Sequence, residues 1–123
     1  MNPLSAALRF WKLRSSWLGD GGRPVPQTVA NARAAICLTC PKNQLMPLWE
    51  NLTTPVANTL RKQIQLKAQM QLVVPGEDGL HSCKVCGCVN SLAVWCPDQR
   101  IRETLHELDN YPPHCWKLAC KAP

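Results

Sequence analysis

The sequence predicts a small α-rich domain whose modest core is stapled by cysteine side chains. Its 123 residues are enough for one domain with an arm or tail, and eleven prolines divide the chain into short elements. Aromatic residues are few, and most of them are the five tryptophans. Eight cysteines are therefore available to hold the fold together, as metal ligands or as disulfides.

The N-terminal segment favours metal binding over disulfide formation. A secretory signal has a basic region ahead of an apolar run, whereas Arg9, Lys12 and Arg14 interrupt the place where that run would lie. No apolar stretch is long enough to span a bilayer. We therefore expect a protein without a secretion signal, kept in a reducing cytosol where CxxC pairs bind metal.

Two CxxC motifs are the central feature of the sequence. A CxxC turn places two thiolates on one side of a tight loop, and two such turns complete the tetrahedral coordination of one Zn²⁺. Gly87 follows the second motif and tolerates positive φ, while Pro41 stiffens the first turn. The predicted fold is thus a zinc-knuckle or zinc-ribbon core with short strands, three to four helices and an N-terminal amphipathic helical arm. The predicted ligands of the first site are Cys37, Cys40, Cys83 and Cys86.

Four cysteines remain outside the motifs, and their irregular spacing leaves several assignments open. They could form a second zinc site, with His81 or His114 as alternative ligands. Cys88 could instead replace one ligand of the second motif, and Cys96 and Cys120 could be buried thiols without a metal. Thiolates at these spacings can also hold an iron–sulfur cluster, so this alternative stands beside one or two zinc ions. The four remaining cysteines are Cys88, Cys96, Cys115 and Cys120.

Residues 2–18 are predicted to form an amphipathic helix that ends at Gly19. The initial Asn-Pro pair is a favourable helix start, and the segment after the helix is rich in Gly and Pro. We therefore divide the chain into an arm with its linker, 1–26, and a cysteine-rich zinc-binding domain, 27–123. The arm is expected outside the metal-bound core, and three placements stay open for its helix: packed on its own core, docked on another subunit, or bound at a membrane surface, the last disfavoured by only three basic charges. The apolar stripe predicted to bind a partner is Leu4, Leu8, Trp11 and Leu18.

The cysteine-rich domain is predicted to contain further helices and one short strand. Residues 27–36 suit a helix that runs into the first motif, and residues 44–54 look irregular. A helical insertion, about 54–72, separates the two motifs and carries Val56, Leu60 and Ile64 on one face.

The segment after the second motif is predicted to hold the strand and a last helix. The apolar run 92–95 is expected to be the strand, and the helix begins at Pro97. The residues expected to face inward from this helix are Ile101, Leu105 and Leu108.

The charge distribution does not favour nucleic-acid binding once metal is counted. Residues 1–72 carry nine basic and two acidic side chains, against five and six in residues 73–123. Each zinc bound by four cysteines changes the formal charge by −2, so two sites would lower the net charge from +6 to about +2. Nucleic acid is therefore a less favoured partner, and the sequence offers no sign of a small-molecule substrate.

We expect no enzyme. The HxE…PCxxC signature of zinc deaminases is absent. The first CxxC motif lacks the strand-to-helix context of a thioredoxin-like redox site. His106, with Glu103 and Glu107 close by, is expected to be an exposed histidine on a charged helix face.

Four blocks of residues resemble a group of small cysteine-rich proteins of tailed bacteriophages and prophages. The blocks are Arg33-Ala-Ala-Ile-Cys-x-x-Cys-Pro-x-Asn43, Cys83-x-x-Cys-Gly-Cys88, Val94-Trp-Cys-Pro97 and Tyr111-Pro-x-x-Cys-Trp116. The resemblance implies phage origin and metal binding and carries no established activity. We therefore expect a structural protein of the virion, in the neck, tail or baseplate, present in the host cytoplasm during assembly and bound to other virion proteins. The alternatives are a nucleic-acid-binding zinc-ribbon regulator and an iron–sulfur-binding phage protein.

Overall fold

The computed structural model describes residues 3–19, 21–105 and 108–120. Within them no helix has the length and apolar character needed to cross a membrane. The prediction of a small α-rich domain with short strands is confirmed. The α-helices are α1 (Pro3–Gly19), α2 (Gln27–Leu38), α3 (Pro47–Ala68), α4 (Asn90–Ala93) and α5 (Asp98–Arg102). Strand β1 (Asn43–Gln44) pairs antiparallel with β2 (Ser82–Cys83), and 3-10 turns lie at Glu77–Gly79, Leu108–Asn110 and Trp116–Cys120.

Helix α1 packs on the core of its own domain, which is one of the placements that the sequence left open for the arm. Leu13 and Trp17 are four residues apart, hence on one face of the helix, and both are buried in the core. Their burial stabilises the docked helix by about 2 kcal/mol or more for each side chain. Trp17 also donates its indole N–H to the carbonyl of Arg23 at 2.9 Å, which ties the helix end to the linker.

Helix α3 begins at Pro47, earlier than predicted, and continues through Pro55. Proline suits the first helical position because the N–H that it lacks would have no partner there. Trp49 in the first turn is buried and donates its indole N–H to the carbonyl of Gly87 at 2.8 Å. This tertiary contact holds the first turns in helical form, although an internal proline removes one helix hydrogen bond. The buried residues of α3 are Trp49, Thr53, Ala57, Leu60 and Ile64, so Leu60 and Ile64 face inward as predicted.

The apolar run 92–95 lies in α4 and the turn after it, so the strand predicted there is wrong. All residues from 92 to 96 are buried, and a run without polar alternation does not distinguish a strand from a helix. Helix α5 buries Ile101, as predicted, but Leu105 is only partly buried and Leu108 is exposed. His106 lies outside the described residues.

Arg33 of α2 connects this helix with the segment after α4. Its guanidinium donates to the carbonyls of Val94 at 3.3 Å and Cys96 at 2.7 Å, and it forms an ion pair with Asp98. The same group lies over the ring of Trp116, 4.3 Å from the ring centre. Arg33 thereby holds the C-terminal 3-10 turn close to the end of α2.

Candidate metal centre

The first CxxC motif forms a tight turn at the end of α2. Cys37 lies in the last turn of the helix and is buried, whereas Cys40 is half-buried. The N–H of Cys40 donates to the carbonyl of Cys37 at 3.0 Å, and the N–H of Asn43 donates to the carbonyl of Cys40 at 3.1 Å. The prediction that the helix runs into Cys37 is confirmed, and the turn leads directly into β1.

The second CxxC motif forms a similar turn that starts in β2. The N–H of Gly87 donates to the carbonyl of Cys83 at 2.7 Å, and the N–H of Cys83 donates to the carbonyl of Cys88 at 2.8 Å. Gly87 has a φ of 81°, as the sequence predicted for this position, and a residue with a side chain would be strained there. Cys83, Cys86 and Cys88 are all buried.

The β1–β2 pair brings the two turns together. Between them, the N–H of Lys84 donates to the carbonyl of Lys42 at 2.8 Å. The side chain of Asn43 strengthens the junction, because its Oδ1 accepts from the N–H of His81 at 2.7 Å and from Nδ2 of Asn90 at 3.0 Å. The helical insertion therefore begins and ends at the same small sheet.

The C-terminal 3-10 turn is a third component of the centre, which sequence reasoning missed. Trp116 donates its indole N–H to Sγ of Cys37 at 3.2 Å, and Nζ of Lys117 lies 3.4 Å from Sγ of Cys86. Both donor residues are buried. Two consecutive residues thus contact one sulfur from each CxxC turn. The Cys-Trp pair in the sequence resemblance marked this segment, but no local pattern linked it to Cys37.

The structure separates the eight cysteines into two groups. Cys88 and Cys115, predicted for a second zinc site, lie with the first group, since each interacts with Cys86. Cys96 and Cys120 are buried as well, and the main charged neighbour of Cys96 is Arg33. In the described ranges, neither the predicted first site nor the predicted second site is arranged as a closed metal-binding group. The first group is Cys37, Cys40, Cys83, Cys86, Cys88 and Cys115.

The two alternative histidine ligands point elsewhere. Nδ1 of His81 lies 3.8 Å from Oε1 of Glu50 on α3. His114 is exposed at the surface. Neither histidine is placed among the sulfurs of the first group.

Burial and hydrogen bonding give the grouped thiols different acidities. Burial raises the pKa of Cys37 and of Cys115. Hydrogen bonds to the sulfur of Cys86 raise the pKa of Cys83 and Cys88, and the same bonds lower the pKa of Cys86. These hydrogen bonds therefore favour ionisation of Cys86 over ionisation of Cys83 and Cys88.

The donor set suits a thiolate-bound metal, although the side chains are not closed around an ion. As placed, no group of three or more Cys, His, Asp or Glu in the described ranges is arranged to hold a metal. The groups next to the sulfurs suit a bound metal, because a buried indole N–H and a buried ammonium contact sulfurs of the two turns. A neutral thiol is a weak acceptor, whereas metal-bound ligands are commonly held by such outer donors.

The predicted partner-binding stripe lies mostly on the surface of α1. Leu4, Leu8 and Trp11 are exposed by 72, 58 and 59%, and we call these three the outer face of α1. Leu18 is half-buried and packs against the core. Successive helical residues are rotated by about 100°, so the outer face lies opposite the face that is buried in the core.

Comparison of the chain with protein-family models, curated proteins and solved structures gave no match. The resemblance to phage proteins stays a prediction. The features of the described structure that bear on function are the cysteine group and the surface of α1.

Proposed function

We propose that this chain is a non-enzymatic zinc-binding structural protein that makes protein–protein contacts in a larger assembly, a bacteriophage virion. Zinc would supply folding free energy that a core of this size lacks. A zinc ion with four protein ligands has no open position for a substrate, which is why we propose a structural role. The proposed ligands are Cys37, Cys40, Cys83 and Cys86, with Cys88 and Cys115 beside them.

The observation that carries the zinc proposal is the convergence of three chain segments on one group of sulfurs. The β1–β2 pair joins the two CxxC turns, and Trp116 and Lys117 contact one sulfur from each. Local sequence does not force these contacts, because the indole and the sulfur that it reaches are 79 residues apart. Thiols are weak hydrogen-bonding groups, so hydrogen bonds alone give little reason to gather them in one place. Coordination of a metal would give a strong one.

The outer face of α1 is the surface that we propose for partner contact. The guanidinium of Arg14 lies 5.3 Å from the ring centre of Trp11, and Lys12 is exposed on the same helix. The apolar patch is therefore bordered by positive charge. A partner protein that offers an apolar groove edged by carboxylates would match both features.

Elemental analysis of the purified protein tests the zinc proposal. We expect one zinc per chain, lost in Cys37→Ser and Cys86→Ser. Cys96→Ser is the matched control, because Cys96 is a buried cysteine outside the first group, and it should keep the metal. Less than one zinc per chain without iron would contradict the proposal, and stoichiometric iron with sulfide would favour the iron–sulfur alternative.

Mass spectrometry of purified virions tests the proposed assembly. The protein should be present at a constant ratio to the other virion proteins. Its absence, together with DNA binding that weakens steeply with salt, would favour the zinc-ribbon regulator instead.

A further inference from the structure

Lys117 is a charged side chain that is buried next to the sulfur of Cys86. Only 1% of its surface is exposed. Nζ lies 3.4 Å from Sγ of Cys86 and 3.4 Å from Oδ1 of Asn90, and 5.7 Å from the ring centre of Trp116. None of these partners, which all lie in the described part of the chain, is a carboxylate.

A buried ammonium group needs an anion nearby. Removal of the charge from water is costly unless a partner charge compensates for it. The amide of Asn90 orients the ammonium but carries no net charge. Among the groups that contact Nζ of Lys117, the sulfur of Cys86 is the one that can carry a negative charge.

We propose that Lys117 is the counter-ion of a metal–thiolate centre, balancing part of its negative charge and holding the sulfur of Cys86. This inference rests on the proposed zinc site. One Zn²⁺ with four thiolates has a net charge of −2, and one ammonium reduces the charge of the buried site to −1. Lys117 is thus a positioning residue that acts through a ligand, and its loss weakens the hold of the site on zinc.

Trp116 provides an internal comparison for the role of charge. It donates an N–H to Sγ of Cys37 at 3.2 Å, close to the distance between Lys117 and Cys86, but the indole is neutral. A variant that removes the indole N–H removes a hydrogen bond to sulfur without changing the charge of the site. The difference between variants at the two positions isolates the contribution of the ammonium.

Competition with a chromogenic chelator measures the zinc affinity of Lys117→Gln, Lys117→Met and Trp116→Phe. We expect one zinc per chain in each variant. The affinity should fall about 10- to 100-fold in both Lys117 variants and by a smaller factor in Trp116→Phe. Wild-type affinity in Lys117→Gln would overturn the inference. An equal loss in Trp116→Phe would also overturn it, because hydrogen bonding alone would then explain the effect.

A measurement on the unaltered chain keeps the inference testable if the Lys117 variants do not fold. In zinc-loaded protein with ¹⁵N-labelled lysine, the ammonium protons of Lys117 should show NMR contacts to the β-protons of Cys86. An ammonium signal without those contacts would overturn the inference. A wild-type protein that binds no zinc refutes the proposed function itself, whereas zinc binding with unchanged affinity in Lys117→Gln refutes only the role of Lys117.

Discussion

The indole of Trp116 donates its N–H to the sulfur of Cys37 at 3.2 Å. The contact joins the C-terminal 3-10 turn to the first CxxC turn, and Arg33 covers the ring of the same tryptophan. The C-terminal turn is therefore part of the buried centre. The residues that surround the sulfurs come from the end of the chain as well as from the two motifs.

Replacement of Trp116 by Phe should destabilise the zinc-loaded protein by about 1–2 kcal/mol. Phenylalanine keeps an aromatic ring under Arg33 but loses the N–H that contacts Cys37, and one hydrogen bond contributes about 1 kcal/mol. Urea unfolding measures the change. Trp11→Phe, on the exposed outer face of α1, is the control and should change stability by no more than about 0.5 kcal/mol. Equal changes at the two positions would contradict the assigned contact.

Removal of zinc by a chelator should lower the melting temperature by about 10 °C or more, because metal binding contributes directly to folding free energy. The near-UV circular dichroism should fall as well. Trp49 and Trp116 contact Gly87 and Cys37, so both indoles depend on the order of the CxxC turns. Zinc added back should restore both signals, and magnesium should not. A metal-free protein that melts at the temperature of the zinc-loaded protein would contradict this prediction.

Replacement of Arg33 by Met should cost about 2–4 kcal/mol. The variant leaves the buried carbonyls of Val94 and Cys96 without their donor, and each unsatisfied group costs about 1–3 kcal/mol. It also removes the cation that lies over Trp116. Arg23→Met is the matched control, since Arg23 is exposed, and its effect should be below about 0.5 kcal/mol. Similar unfolding midpoints for the two variants would show that Arg33 does not hold this segment.

The orientation of α1 predicts unequal effects of two leucine substitutions on the same helix. Leu13 is 3% exposed, so Leu13→Ala should cost about 2–5 kcal/mol. Leu8 is 58% exposed, so Leu8→Ala should change stability by less than about 0.5 kcal/mol while it weakens partner binding. Thermal unfolding of both variants checks the first comparison. A larger loss from Leu8→Ala would mean that the opposite face of α1 packs on the core.

The thiol of Cys120 should react unusually slowly with alkylating reagents. Burial, followed by the charge of Asp98, raises the pKa of Cys120 to about 11. The reactive thiolate fraction grows about tenfold per pH unit below the pKa, so alkylation should still accelerate between about pH 9 and pH 10. In the urea-unfolded chain the rate should level off near about pH 9. Peptide-resolved mass spectrometry measures both profiles, and a plateau near pH 9 in the folded protein would contradict the raised pKa.

Features that depend on neighbouring residues were predictable from the sequence. The helix that runs into Cys37 and the positive φ of Gly87 follow from short-range rules, because helix ends and tight turns are decided by a few consecutive residues. The start of α3 and the run 92–95 were not predictable in this way. Trp49 stabilises the start of α3 by donating its indole N–H to the distant carbonyl of Gly87. Residues 92–95 are all buried, so they show no alternation of polar and apolar side chains that would distinguish a strand from a helix.

The sequence by itself determined the two CxxC turns, the α-rich character of the chain and the presence of apolar residues along α1. Only the tertiary structure decided which face of α1 is buried, because Leu13 with Trp17 and Leu4 with Leu8 form apolar pairs of the same spacing on opposite sides of one helix. It also decided which donors contact the sulfurs. Trp116 and Cys37 lie far apart in sequence, and their contact depends on the path of the whole chain between them.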